Sequence, residues 1–269
     1  MTQEYKIVLT IAGSDCSGGA GIQADLKAIS ACGCYGSSVI TALTAQNTLG
    51  VDDVMIVEDA FVTRQICSVA TDLKVDALKL GMLPTKECVE QVARAIKEFS
   101  FKNIVLDPVM ISTSGHKLIS DQAIEAIKEL LFPLADIITP NIPELEFITG
   151  LKIDSEDDFI EAAQKVFELG AKAVLIKAGH MSGHELNDYL FEAGGKLSKY
   201  CYTKIDTKNT HGTGCTLSSA TASFLAHGFE SATAVEKAEE YIHEAISAGA
   251  TYKIGHGFGP VHHFYKFWK

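Results

Sequence analysis

Short apolar runs rich in β-branched residues alternate along the chain with longer stretches whose apolar residues recur every three or four positions. Residues 6–12 (KIVLTIA) read as a buried strand, 13–21 as a glycine-serine loop and 22–32 as a helix. Further strands are predicted over 38–45, 77–80, 103–106, 136–139 and 173–177, and two short β runs around Gly194-Gly195 within 189–205 read as a hairpin. Helices are predicted over 60–73, 85–99 with a Thr cap, 121–131, 143–149 ending at Gly150, 155–169 with a Ser cap, 213–226 and 231–251. Strands alternating with helices of this length indicate βαβ units, an α/β fold and a mainly parallel sheet. No linker, repeat or low-complexity stretch interrupts residues 1–269, so one domain is expected. Ligands of such sheets bind outside the carboxyl ends of the strands. The residues that follow the predicted strands are Asp15 to Gly21, Gln46-Asn47, Gly81-Met82, Asp107-Pro108, Asn141 to Glu144 and Lys177 to Gly179.

Composition narrows the partners. The 269 residues are 47% hydrophobic and 21% charged, with 34 acidic against 23 basic residues and a net charge of −11. Without a Lys/Arg cluster, a nucleic-acid or anionic-membrane surface is not expected. No window approaches the ~20 apolar residues of a membrane span, and no signal peptide is apparent. Seven cysteines without a C-x-x-C pair read as reduced, buried thiols of a cytoplasmic protein. The histidines show no H-E-x-x-H, and no zinc-site spacing is present.

The most informative segment is Asn209-Thr-His-Gly-Thr-Gly-Cys-Thr-Leu-Ser-Ser-Ala-Thr-Ala-Ser. Gly212, Thr213 and Gly214 form a loop whose backbone N–H groups can converge, and the helix behind adds its positive end: an anion site, most often for phosphate. Cys215 falls in the first helical turn, where a thiol pKa is expected to drop. The other glycine loop, Gly13 to Gly21, fits neither the dinucleotide fingerprint nor the Walker A pattern. Beyond it, Asp25 and Gln46 offer a carboxylate and an amide able to read a heteroaromatic ring. Alternatively, Asp25 favours the helix dipole and Gln46 is a surface residue. Asp107 and Glu144, at neighbouring strand ends, suit a hydrated Mg²⁺ shared with phosphates, or else cap their own turns. Lys177 ends a strand, either meeting a phosphate or facing solvent.

The order of these blocks is more specific than any one of them. Gly-Ser-Asp, Gln-Asn, Lys-Leu-Gly-Met, Val-Leu-Asp-Pro-Val, Thr-Pro-Asn-x-x-Glu, Ile-Lys-x-Gly-His and Asn-Thr-His-Gly-Thr-Gly-Cys-Thr succeed one another over residues 13–223. This resembles the ribokinase superfamily and, within it, the hydroxymethylpyrimidine/phosphomethylpyrimidine kinases of thiamine biosynthesis, over nearly the whole chain and including Gly257-Phe-Gly-Pro-Val. The resemblance implies a ribokinase-like three-layer α/β/α fold, commonly a homodimer, using ATP and Mg²⁺. It implies phosphorylation of 4-amino-5-hydroxymethyl-2-methylpyrimidine and then of its monophosphate. Gly13, Asp25, Gln46 and Met82 would hold the pyrimidine. Asn141, Glu144 and Lys177 would meet ATP, with Asp107 and Glu144 at the metal. Gly212, Thr213 and Gly214 would form the anion hole, and Cys215 would take the hydroxyl proton.

One position departs from the wider superfamily, whose sugar kinases place Asp where Cys215 stands. A thiol, with a reference pKa near ~8.5, needs that value lowered to act as base. The alternatives are a pyridoxal or pyridoxine kinase of the same superfamily, and a catalytically silent nucleotide-binding regulator.

Overall fold

A computed structural model of the chain describes residues 4–110, 118–179 and 185–268. His180, which ends the Ile-Lys-Ala-Gly-His block, lies outside the described residues. The strands are β1 (Ile7–Asp15), β2 (Tyr35–Asn47), β3 (Gly50–Ile56), β4 (Ala77–Leu80), β5 (Ile104–Leu106), β6 (Ile137–Ile138), β7 (Ala173–Lys177), β8 (Glu185–Glu192) and β9 (Leu197–Thr203). The helices are α1 (Gly21–Ala31), α2 (Asp59–Ala70), α3 (Lys86–Glu98), α4 (Asp121–Ala126), α5 (Ile142–Thr149), α6 (Phe159–Glu168), α7 (Thr213–Ala226) and α8 (Ser231–Gly249).

The strands join one sheet in the order β3-β2-β1-β4-β5-β6-β7-β8-β9. The six from β2 to β7 run parallel, and β3, β8 and β9 are antiparallel additions at the two ends. Because side chains alternate across a strand, the parallel strands feed two cores. Leu9, Ile11, Leu78, Leu80 and Leu106 pack with α2, α3, α4 and α6, whereas Val8, Ala77, Val105 and Leu175 pack with α1, α7 and α8. Both faces of the sheet are therefore covered by helices, which explains why the predicted strands read as continuous apolar runs.

Three sequence expectations change. β1 continues through Gly13-Ser14-Asp15, so the first loop is shorter than residues 13–21. β3 has no counterpart in the sequence reading. Its Asp52-Asp53 pair is exposed on an edge strand, which hides the alternation. The helix expected over 121–131 is α only to Ala126 and loosens into a π turn over Ile127–Leu131. All seven cysteines are free, but Cys16 and Cys201 are exposed rather than buried. Among the described residues, no helix is long and apolar enough to cross a membrane.

A charged pair lies in the second core. Lys79 interrupts the apolar run of β4, and its Nζ donates to both carboxylate oxygens of Asp25 on α1 at 2.9 Å, with no side-chain surface exposed on either residue. Thr10 of β1 donates to the same carboxylate at 2.6 Å and Ser219 of α7 at 2.8 Å. Gly81 leaves room for this lysine, since a β-carbon there would stand 2.8 Å from Nζ and 2.9 Å from the Ala12 side chain. Breaking such a pair leaves an uncompensated buried charge, whereas replacing both partners removes the desolvation cost as well. Asp25→Ala should lower the unfolding free energy in urea by about 3–5 kcal/mol. The double replacement Asp25→Leu with Lys79→Met should recover more than half of that loss. A single variant as stable as the parent would show that the pair does not hold the elements together.

Candidate active site

Two glycine loops meet at the carboxyl ends of the strands. The first leaves β1 at Asp15, which organises it. The Asp15 carboxylate accepts from Ser17 N at 2.8 Å, Ser17 Oγ at 2.7 Å, Gly19 N at 3.0 Å and Ala20 N at 2.8 Å, and His211 Nε2 stands 2.8 Å from Oδ2. Burial alone would raise its pKa, but these hydrogen bonds, led by that from His211, outweigh it and hold Asp15 at about 2. The second loop turns at Gly212, whose φ of +79° suits glycine. A β-carbon there would also collide with the carbonyl oxygen of Gly19, so the loops pack backbone to backbone.

Behind the second loop, α7 is built of small residues and hydroxyls. Thr216, Ser218, Thr221 and Ser223 each bond back to the carbonyl four residues earlier, at 2.8 to 2.9 Å, which lets a polar sequence sit buried between α1, α8 and the sheet. No side chain caps α7 or α1 at its N-terminus. The two helix starts meet at one point, where Gly212 packs on Gly19 and Ala20 and the Gly21 amide lies near enough to Cys215 to favour its thiolate. Uncapped N–H groups and two helix dipoles make that point an anion site.

Charged side chains complete it. Lys177, at the end of β7, donates to Asp107 Oδ1 at 2.9 Å, and Thr139 donates to the same oxygen at 3.1 Å. A β-carbon at Gly214 would stand 3.2 Å from Lys177 Nζ, so lysine, aspartate and loop converge. Burial would discharge Lys177, but Asp107 and Glu144 keep its pKa above the ordinary lysine value. Asn141 and Glu144 form a reciprocal capping box at the start of α5, each accepting from the other's backbone at 2.9 Å. Glu144 is pushed up to about 7, by burial first and by the charge of Asp107 as well, despite Lys177 nearby.

These residues line one cavity of ≈ 900 Å³. Gly13, Gln46 and Met82, the residues of the anion site, and the apolar Leu217, Ile242 and Ile246 all contribute to its wall. Asn141, Glu144, Lys177, Asp107, Gly212, Thr213, Gly214 and Cys215 all reach the cavity wall. Asp25 does not. Its carboxylate is buried beneath the floor and committed to Lys79, Thr10 and Ser219, so the expectation that it contacts a ring is not met.

Cys215 also departs from expectation. Its pKa is raised to about 11, because burial and the nearby carboxylates of Asp25 and Asp107 outweigh Lys79 and the Gly21 amide. The sequence reading also left Asp15, His211, Thr44 and Lys79 without roles. Asp15 and His211 sit inside the two glycine motifs, and that position was their only signal.

Residues 15–262 match the family described as phosphomethylpyrimidine kinase. A hydroxymethylpyrimidine/phosphomethylpyrimidine kinase from Rhizobium meliloti is 47% identical over 264 residues, covering 98% of both chains. The solved phosphomethylpyrimidine kinase from Clostridium difficile 630 is 46% identical with a TM-score of 0.80, covering 90% of this chain and 99% of that one. The pyridoxal kinase from Staphylococcus aureus, solved in complex with AMP-PCP and pyridoxal, is 32% identical with a TM-score of 0.90, covering 98% of this chain and 96% of that one.

The position of Cys215 generates a direct test. A thiol with a pKa of about 11 is protonated at neutral pH. Below that value its thiolate fraction grows about tenfold per pH unit. Alkylation of Cys215 by iodoacetamide, mapped by peptide mass spectrometry, should therefore still be rising at pH 9. A rate that levels off near pH 7 would mean that the helix dipole prevails.

Proposed function

The chain belongs to the phosphomethylpyrimidine kinase family, and we propose that its phosphoryl transfer takes place where the N-terminus of α7 meets Lys177 and Asp107. The enzyme phosphorylates 4-amino-5-hydroxymethyl-2-methylpyrimidine and its monophosphate in thiamine biosynthesis. The observation that carries the site assignment is that Gln46 and Met82, the start of α7 with Lys177 and Asp107, and the apolar Leu217, Ile242 and Ile246 all line one cavity. The AMP-PCP held by the Staphylococcus aureus relative supports ATP as the donor. Lys177 and the α7 start would meet its phosphates, and the apolar Leu217 and Ile246 its base.

In this reading the substrate hydroxyl oxygen attacks the γ-phosphorus, the bond to the β–γ bridging oxygen breaks, and ADP leaves. Gly212, Thr213 and Gly214 direct backbone donors at the transferring group, where preorganised dipoles are most effective. Lys177 neutralises phosphate charge. Cys215 stands beside the acceptor and takes the hydroxyl proton through its minor thiolate form, so its raised pKa makes that step slower at low pH. Asp107 and Glu144 would hold Mg²⁺, which supplies charge neutralisation across the β- and γ-phosphates. Two observations fit a cation there. Burial and Asp107 raise the Glu144 pKa, which a bound cation would offset, and among the described residues the hydrogen-bond partner of Asp107 Oδ2 is Ser218 at 3.5 Å. Two carboxylates suit a hydrated ion shared with phosphates rather than an all-protein cage, and no larger acidic or His/Cys group occurs among the described residues.

One observation favours a second acceptor, pyridoxal: the fold superposes closely on a pyridoxal-bound relative. The homodimer that the family resemblance implies is supported by β3, an edge strand with exposed Met55 and its cross-strand partner Leu43 on β2. Exposed apolar side chains on neighbouring strands make a patch of the kind that a second copy covers.

Mass spectrometry of products from ATP and the pyrimidine alcohol should show monophosphate first and diphosphate second. Chelating Mg²⁺ should stop both steps, and pyridoxal offered in competition should be the poorer acceptor. Cys215→Ala should lower turnover about 10²–10⁴-fold, the usual worth of a general base. A variant keeping more than a tenth of parental turnover would remove Cys215 from proton transfer. Light scattering should give a dimer mass that Met55→Lys reduces to a monomer, and a parental monomer would overturn the dimer.

A further inference from the structure

Gln46, His211, Asp15 and Thr44 form a chain of contacts on the wall of the cavity. Gln46 Nε2 lies 3.3 Å from His211 Nε2, and Gln46 Oε1 lies 3.1 Å from Thr44 Oγ1. The same His211 nitrogen lies 2.8 Å from Asp15 Oδ2, and the Thr44 hydroxyl donates to the Ser14 carbonyl at 2.9 Å. The two ends of an amide are told apart by their partners, and here the partners have already chosen. Asp15, ionised at neutral pH, can only accept, so His211 Nε2 carries a proton and donates to it. In the amide order just described, that N–H would face a second donor, the Gln46 NH₂. The single Thr44 proton would also be claimed by two acceptors, Ser14 O and Gln46 Oε1. Turning the amide over removes both conflicts. The Gln46 oxygen then shares the His211 proton with Asp15, and the Gln46 NH₂ donates to the Thr44 oxygen.

We infer that His211 is a positioning residue, which with Asp15 on its far side and Thr44 opposite locks Gln46 with its oxygen toward His211 and its nitrogen toward Thr44. The inference rests on the reading that Gln46 contacts the substrate ring. The lock fixes the order of donor and acceptor that Gln46 presents to the cavity. An aminopyrimidine has a donor amino group beside an acceptor ring nitrogen. Its amino group then pairs with the oxygen on the His211 side and its ring nitrogen with the NH₂ on the Thr44 side. A 4-oxo analogue, with a carbonyl beside a ring N–H, presents the reverse order and meets two like-to-like contacts. His211 is well placed to hold this order. It is buried, its ring lies against Gly19, where a β-carbon would collide with it, and its backbone bridges to Pro260.

The test compares kcat/KM for the 4-amino alcohol and its 4-oxo analogue, with ATP saturating. His211→Phe removes the donor and frees the amide to turn, so the amino-over-oxo preference should narrow about tenfold, roughly the worth of one hydrogen bond. The change should appear mainly in KM for the alcohol, with KM for ATP within about twofold, a margin below the worth of a hydrogen bond. His211→Gln, which places an amide N–H near the same point, should restore most of the preference. Thr44→Val, close in shape, should narrow it from the other side even if His211→Phe does not fold. A preference unchanged in the folded His211→Phe or Thr44→Val protein, while Gln46→Ala abolishes it, would overturn the lock and leave the ring contact standing. A preference unchanged in Gln46→Ala would overturn the ring contact itself, and the lock with it.

Discussion

Asp25 and Lys79 meet in the core with no side-chain surface exposed, and the geometry of the candidate active site follows from that contact. Lys79 is on β4, Asp25 on α1, and the other two donors to the carboxylate are Thr10 on β1 and Ser219 on α7. α1 begins where the first glycine loop ends, and α7 begins where the second one ends. A buried charge pair tolerates little displacement, because each lost hydrogen bond leaves part of a charge uncompensated in a poorly solvated interior. The pair therefore fixes the two helix starts relative to the sheet and to each other. With their starts fixed, Gly19 and Gly212 touch through backbone atoms, and the two uncapped helix starts lie side by side.

Around that point the balance of forces is set by burial as much as by dipoles. Two helix ends and two lysines favour anions, yet the Cys215 thiol and the Glu144 carboxyl both have raised pKa values. Against the cost of burial, Asp15 with its hydrogen bonds and Asp107 beside Lys177 keep lowered values, so negative charge is favoured where donors and cations converge and disfavoured where burial prevails. That asymmetry suits a kinase. Its donor brings negative phosphate charge to the point where backbone N–H groups and Lys177 converge.

Much of this was legible in the chain. The helix over 213–226 has the bounds that its small residues and preceding glycines suggested, and the parallel strands emerged from their apolar runs. What escaped was non-local. A lysine in the middle of Ala77-Leu-Lys-Leu80 signals a buried partner, but only the fold shows that the partner is Asp25. Asp25 consequently looked like a ring ligand, and its true neighbours lie 15, 54 and 194 residues away. The Cys215 pKa was misjudged for the same reason: the helix-end rule is local, while desolvation depends on everything packed around the sulfur. β3 was lost because an edge strand with two exposed acids lacks the hydrophobic pattern of its neighbours.

If two loops aligned by one buried ion pair form a single transfer site beside Gln46 and Met82, a crystal structure with a non-hydrolysable ATP analogue, Mg²⁺ and the pyrimidine alcohol will show it. The γ-phosphate should lie against the backbone of Gly212–Cys215, Lys177 on the phosphates, the ring edge at Gln46 and the hydroxymethyl oxygen between Cys215 and phosphorus. A γ-phosphate bound away from the start of α7, or a ring bound away from Gln46, would contradict it.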